Sequence, residues 1–307
     1  MWWNKNKRNN YRDDKITQWI IRNKSSNRKY IIDITKKEAR AYLLNVVDRL
    51  YKKGVRYIKN DYNASTVHGP NFEGETLSEG NNIYAREVKT FYESIREKYP
   101  DLILENCGSG AMRSNHGLLS SFTLQSISDE DCYFYYPSIL SGSAGVMPPE
   151  KEGIWAMPYP DSSRLYEFNT KEYRKEREDG EETIFNMVNG MLGCLYLSGR
   201  IDEADENNQK LIKQGIETYK KIRKYIPKSY PVYPSGFIGK NCEENVFYGL
   251  AVPEENKMLL AVYKLGNEKV AQADLSKYGD IEEVIALYPQ NTKYELKGLK
   301  QLLHSID

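Results

Sequence analysis

Apolar positions recur at helical spacing through Ala39, Tyr42, Leu43, Val46, Val47 and Leu50, and Gly54 follows as a stop. That pattern predicts an amphipathic helix. Thr35, with Glu38 three residues on, fits a capping box at its start. Before it, the alternating run RKYIIDI (28–34) predicts a short strand; after it, VRYIK (55–59) predicts another. A polar, Gly-rich loop then leads to about residue 81, a helix through IYAREVKTFYESIREKYP, and a strand LILEN at 102–106. Strand, helix, strand, loop, helix, strand is the order of βαβ units, which build parallel sheets.

A third strand-like run, SSFTLQSISDED, covers 120–131. SGSAGVMPPEKEGIWAMPYP reads as a Gly/Pro-rich loop, and GEETIFNMVNGMLGCLYLSG as a buried helix with a strand-like end. IDEADENNQKLIKQGIETYKKIRKYI reads as a long charged amphipathic helix. From about residue 231 the pattern changes to short strands with turns, predicting a small antiparallel β domain. Residues 1–16 are polar and without periodicity, so they are expected to be poorly ordered.

The 307 residues are 40% apolar, enough for a core, and 44 Lys and Arg face 43 Asp and Glu. That balance argues against nucleic-acid or membrane partners. The 25 tyrosines suit a half-polar ligand such as a sugar, although a chain rich in Lys, Asn and Ile as well also fits an AT-rich codon bias. The four cysteines, 107, 132, 194 and 242, have no CxxC spacing, so free thiols in a reducing compartment are expected. With no apolar leader and no run near the ~20 residues a span needs, the chain is expected to be soluble and cytoplasmic.

The predicted strands carry their unusual residues at their C-terminal ends, the ligand-binding side of parallel α/β folds. Lys59 alternates with Asp61, so both point to one side. Asp129 ends the third run. Two carboxylates on one face suit glycoside hydrolysis, one attacking the anomeric carbon and the other exchanging the proton. A neighbouring cation keeps a nucleophilic carboxylate ionised. An Asp after a strand is equally at home as a helix cap, and Cys107 as a small buried hydrophobe. His68, His116 and His304 lack metal-ligand spacing. No GxGxxG or phosphate loop is present, so no nucleotide or other cofactor is expected.

Three motifs in order make the chain resemble glycoside hydrolase family 36, the retaining α-galactosidases. They are Lys59-Asn60-Asp61-Tyr62-Asn63, the loop Cys107-Gly108-Ser109-Gly110-Ala111-Met112-Arg113, and Ser128-Asp129 followed by Tyr136-Pro137. The segments running into Asp61 and around LSG at 197–199 are also similar. The resemblance implies Asp61 as nucleophile, Asp129 as general acid/base, and Lys59, Asn63, Cys107, Gly110, Arg113 and Ser128 as sugar-binding residues. It implies an α-galactoside substrate, with an α-N-acetylgalactosaminidase as the alternative specificity. Trp155 is either a stacking platform or a packing residue.

Two departures stand out. Cys132 replaces a second Asp of the family's Ser-Asp motif, Phe134 stands where an Arg or similar polar group is usual, and Asp131 comes one residue early. Family members also carry a large N-terminal β-sandwich and a full barrel of about 250 residues, with the nucleophile near the fourth strand. Here Asp61 comes too early for that. The expected fold is α/β: a partial (β/α)8 TIM barrel of later strands over 17–229, then a small antiparallel β-sandwich domain over 230–307. The chain is expected to be N-terminally truncated, either a weak or inactive hydrolase alone, a non-catalytic remnant, or half of a split enzyme. Its open strand edges favour a homo-oligomer or an N-terminal fragment partner.

Overall fold

Two parallel strands set the frame. β3 (Tyr57–Asp61) and β4 (Ile103–Cys107) run parallel and in register from Tyr57 beside Ile103 to Asp61 beside Cys107. The computed structural model describes residues 19–22, 30–63, 76–130, 132–159, 179–290, 292, 294–297 and 301–305. The expected disordered stretch 1–16, as well as His68 and Asp131, lies outside them. The chain divides into two compact units, Met1–Ser126 and Ile127–Asp307.

In the first unit, β1 (Ile20–Arg22) and β2 (Tyr30–Ile32) form an antiparallel pair. Helix α1 (Lys37–Lys52) follows, then β3, α2 (Leu77–Lys98), β4, α3 (His116–Ser121) and β5 (Leu124–Ser126). β5 continues the parallel sheet beside β4, with Gln125 in register with Asn106. Helical side chains and strand residues meet in a core of Ile31, Ile34, Tyr84, Phe91, Ile95, Tyr99, Leu102, Leu104 and Phe122. Ile58 packs on this core from β3. Ile58 and Leu104 are registered, so the alternate pairs Lys59–Glu105 and Asp61–Cys107 face away from the helices.

Three local expectations give way. Thr35 does not cap α1: its backbone N–H and hydroxyl both donate to Asp33 Oδ1, at 3.1 and 2.6 Å, and the cap position is Lys36 without a side-chain bond. α2 starts at Leu77, earlier than its apolar spacing shows, because Thr76 Oγ1 accepts the Glu79 N–H at 3.1 Å. The run 120–131 is not one strand. Ser120 and Ser121 close α3, with their hydroxyls bonded to the Gly117 carbonyl, and only Leu124–Ser126 pair in the sheet.

In the second unit, a 3-10 turn (Tyr133–Tyr135) leads into α4 (Tyr136–Ser143). β6 (Glu152–Ala156) and β7 (Cys194–Leu197) are parallel, with α5 (Glu181–Met191) between them and α6 (Glu206–Ile222) after. β6 lies in what reads as a Gly/Pro-rich loop, and α4 runs into the start of it at residues 141–143. Gly153 hides the strand signal for a packing reason: a Cβ there would stand 2.4 Å from the Tyr196 ring. Trp155 meets Tyr196 edge-on at 5.2 Å, so it packs within the sheet.

The antiparallel region begins at β8 (Tyr230–Val232), which with β9 (Val246–Val252) and β10 (Lys257–Tyr263) forms one sheet in the order β10-β9-β8. β11 (Val270–Asp274), β13 (Gln301–Ser305) and β12 (Tyr294–Lys297) form the other. Phe247, Ala271, Ala273 and Leu275 fill the space between the sheets, with Leu260 and Val262 against them. The α/β-then-antiparallel architecture expected of the sequence is what the chain adopts. Its four cysteines are free. Among the described residues no helix is long and apolar enough to cross a membrane.

Candidate active site

Side-chain parity brings the first cluster together. Lys59 and Asp61 stand exposed on β3, and Cys107, 1% exposed, is Asp61's register partner on β4. The chain after Asp61 is tied to the loop after Cys107. Tyr62 N–H donates to the Cys107 carbonyl at 3.0 Å, and Asn63 Oδ1 accepts the Ser109 N–H at 2.5 Å and the Ser109 hydroxyl at 3.3 Å. Arg113 Nε donates to the Tyr62 carbonyl at 2.8 Å while its guanidinium lies 3.9 Å over the Tyr62 ring.

The loop needs its small residues. Gly110 takes φ 72° and Ser109 φ 46°, the left-handed region that favours glycine. A Cβ on Gly108 would stand 3.0 Å from the Tyr62 carbonyl and 3.1 Å from Arg113 Cγ, so glycine lets the two strand ends close. Beneath the loop, Asn106 Nδ2 donates to the Arg113 carbonyl at 3.0 Å and to Gln125 Oε1 at 2.7 Å. Gln125 Nε2 donates to the Ser126 carbonyl at 2.7 Å and the Gly110 carbonyl at 3.4 Å. On the helix side, Tyr62 and Tyr84 share a 2.8 Å hydrogen bond, and burial holds both phenols above their usual range. Asn63 and Arg113 thus hold protein to protein, fixing Tyr62 and the Ser109 turn around Asp61.

The second unit holds Ser128 and Asp129. Asp129 is exposed. Ser128 Oγ accepts the Glu130 N–H at 3.0 Å, Glu130 Oε1 accepts the Cys132 N–H at 2.9 Å, and the Tyr136 hydroxyl donates to the Ser128 carbonyl at 3.3 Å. Ile127 N–H donates to the Gly153 carbonyl at 3.1 Å, which fixes the segment's root to β6. The two unusual residues are apolar packing groups. Cys132 is 7% exposed. Phe134 lies 4.2 Å from the Tyr133 ring and 5.5 Å from Phe185, so it packs in an aromatic cluster.

Of the residues singled out from the sequence, Lys59, Asp61, Asn63, Cys107, Gly110 and Arg113 share one cluster in the first unit, and Ser128 and Asp129 share another in the second. Sequence reasoning missed Glu105, Tyr57, Asn106 and Gln125. Glu105 carries one signal: it precedes Cys107 by two, as Lys59 precedes Asp61, and so shares its face.

The parallel sheet thus carries carboxylate, ammonium and guanidinium groups at the carboxyl ends of β3 and β4. A family model described as Melibiase matches residues 10–229, and the chain belongs to that family. It is 26% identical over 206 residues to the bifunctional α-galactosidase/sucrose kinase AgaSK of Mediterraneibacter gnavus, across 66% of this chain and 20% of that protein. Its fold is similar to a variant of the family 36 α-galactosidase AgaA of Geobacillus stearothermophilus bound to raffinose (TM-score 0.70, 14% identity, 95% of this chain, 38% of that one). It is also similar to the α-galactosidase of Lactobacillus brevis (TM-score 0.68, 18% identity, 92% of this chain, 36% of that one). The chain spans a fifth of the curated relative and under two fifths of these structures.

Proposed function

We propose that this chain serves a retaining α-galactosidase reaction on oligosaccharides ending in α-linked galactose. The observation that carries this reading is the register pair Asp61–Cys107 beside Lys59 in a chain of the Melibiase family. Asp61 attacks the anomeric carbon and forms a glycosyl ester. Asp129, as acid, protonates the departing oxygen, then as base takes a proton from the water that hydrolyses the ester. Lys59 keeps positive charge beside Asp61 and donates to sugar hydroxyls. Cys107, Gly110 and Ser128 line the sugar's site, and Asn63 and Arg113 shape it by holding Tyr62 and the Ser109 turn.

One observation bears on how the activity is assembled. Among the described residues no strand pairs with the outer edge of β3, and Tyr57 and Ile103 are 43% and 38% exposed on the inward face. An unpaired parallel edge accepts another strand. The reading is therefore that β3 is covered by strands of a separate N-terminal chain or by a second copy of this one, and that activity rises when it is.

The test is hydrolysis of a chromogenic aryl α-galactoside by the purified chain beside Asp61→Ala. Turnover by the chain and none by the variant supports the reading. Asp129→Ala should keep more activity on an aryl galactoside with an acidic leaving group than on raffinose, because the first needs little protonation. Equal losses on both substrates would remove Asp129 from the acid role. A folded chain inert with and without an added N-terminal barrel fragment would overturn the enzyme reading.

A further inference from the structure

Glu105 is the carboxylate that the reaction leaves unassigned. It lies on β4 in register with Lys59, facing away from the helices, and is 2% exposed. Its Oε2 accepts the Tyr57 hydroxyl at 2.5 Å. Its Oε1 lies 3.2 Å from Lys59 Nζ and has no directed hydrogen bond. Burying a carboxylate is costly unless a cation and donors meet it. Tyr57 and Lys59, alternate residues of β3, supply both.

We propose that Glu105 is a positioning residue: it holds the Lys59 ammonium beside Asp61, on the face where the sugar binds. The inference rests on the roles given to Lys59 and Asp61 above. A lysine head swings on four rotatable bonds, and fixing it costs side-chain entropy if the sugar must do so. A buried carboxylate opposite its Nζ fixes it beforehand. Because the ammonium has three donors, Lys59 can face Glu105 at 3.2 Å and direct another donor toward a sugar hydroxyl. Tyr57 fixes the carboxylate in turn. The set is a relay of position, Tyr57 to Glu105 to Lys59, across two strands.

The competing explanation is an ion pair that only stabilises the sheet. Two readouts separate them. The first is the ammonium resonance in a ¹⁵N-lysine NMR spectrum of the full chain, assigned by its loss in Lys59→Met. The proposal expects it narrow and slow to exchange with water in the natural protein, broadened in Tyr57→Phe and absent in Glu105→Gln, and recovered in part in Glu105→Asp. A Lys59 ammonium in fast exchange in the natural protein, or unchanged in Tyr57→Phe and Glu105→Gln, overturns it. The second is galactose affinity. Glu105→Gln should weaken it about tenfold, as losing a charged contact does. A lower melting temperature with unchanged galactose affinity marks a purely structural pair. If Glu105→Gln does not fold, Tyr57→Phe decides by the same two readouts. If the natural chain binds no galactose, the enzyme reading fails, and the ammonium spectrum still decides whether Glu105 positions Lys59.

Discussion

The two segments to which the proposed reaction assigns its carboxylates are built differently. Around Asp61, bonds join distant stretches: Asn63 to Ser109 across 46 residues and Arg113 to Tyr62 across 51. Around Asp129, bonds join neighbours: Glu130 to Ser128 and Cys132 to Glu130 across 2 residues, Tyr136 to Ser128 across 8. The first arrangement exists only when the sheet exists. The second is a local turn whose root is tied to β6 through Ile127. Under the proposed roles, Asp61 as nucleophile must be aligned to a fixed carbon, which rigid cross-strand bracing suits. Asp129 as proton-transfer group would serve two steps in turn, which a turn braced by itself suits.

The largest effect that tests this contrast lies beneath the Asp129 segment. Glu152 opens β6, whose Gly153 carbonyl holds Ile127, and burial pushes its carboxyl up to about 8 from an ordinary value of 4.5, with Glu150 adding repulsion and neither carboxyl oxygen meeting a hydrogen-bond partner. The unfolded chain releases this proton near 4.5, while the folded chain keeps it to about 8. Stability must therefore fall as pH rises across that window and level off above it. Glu152→Gln should remove a slope amounting to on the order of 4 kcal/mol. Denaturant midpoints of both proteins from acid to mildly basic pH check this, and parallel curves would refute it.

Next in size, Gln125→Leu strips Asn106 of an acceptor and the loop of its floor. It should cost about 2 kcal/mol of stability and lower activity with it, read by urea unfolding and galactoside hydrolysis on one sample. Arg113→Ala removes a hydrogen bond and a ring contact, for a loss of about 1.5 kcal/mol. Arg113→Lys should not restore it, since an ammonium cannot both reach the Tyr62 carbonyl and stack on its ring. If either variant lost activity with no loss of stability, the cross-braced description of the Asp61 end would be wrong.

The smallest effect belongs to the local segment. Ser128→Ala removes one acceptor from a partly exposed turn, so stability should change by ~0.5 kcal/mol or less, while turnover falls through displacement of Asp129. A stability loss as large as that of Gln125→Leu would erase the distinction between the two ends.

Much of this was legible beforehand, for identifiable reasons. The apolar stripe of α1 and the apolar run of β4 follow backbone periods, so they show in one dimension. The motifs at Lys59–Asn63 and Cys107–Arg113 show because resemblance needs only residue order. β6 stayed hidden because Gly153 serves the Tyr196 ring rather than the strand's own preference. The Thr35 cap failed because Asp33 offered a nearer acceptor. Asn63 and Arg113, expected to line the sugar site, hold Ser109 and Tyr62 in the fold, residues no local pattern links to them.

The sequence by itself determined that strands and helices alternate, that carboxylates and cations gather at strand ends, and that the family is Melibiase. Those properties depend on the order and period of residues along the chain. Only the tertiary structure decided that Lys59 lies opposite Glu105, that Asp61 lies beside Cys107, and that Gln125 supports Asn106. Register between separate strands is set by packing across the sheet, where one residue of slip would turn every one of these side chains to the other face.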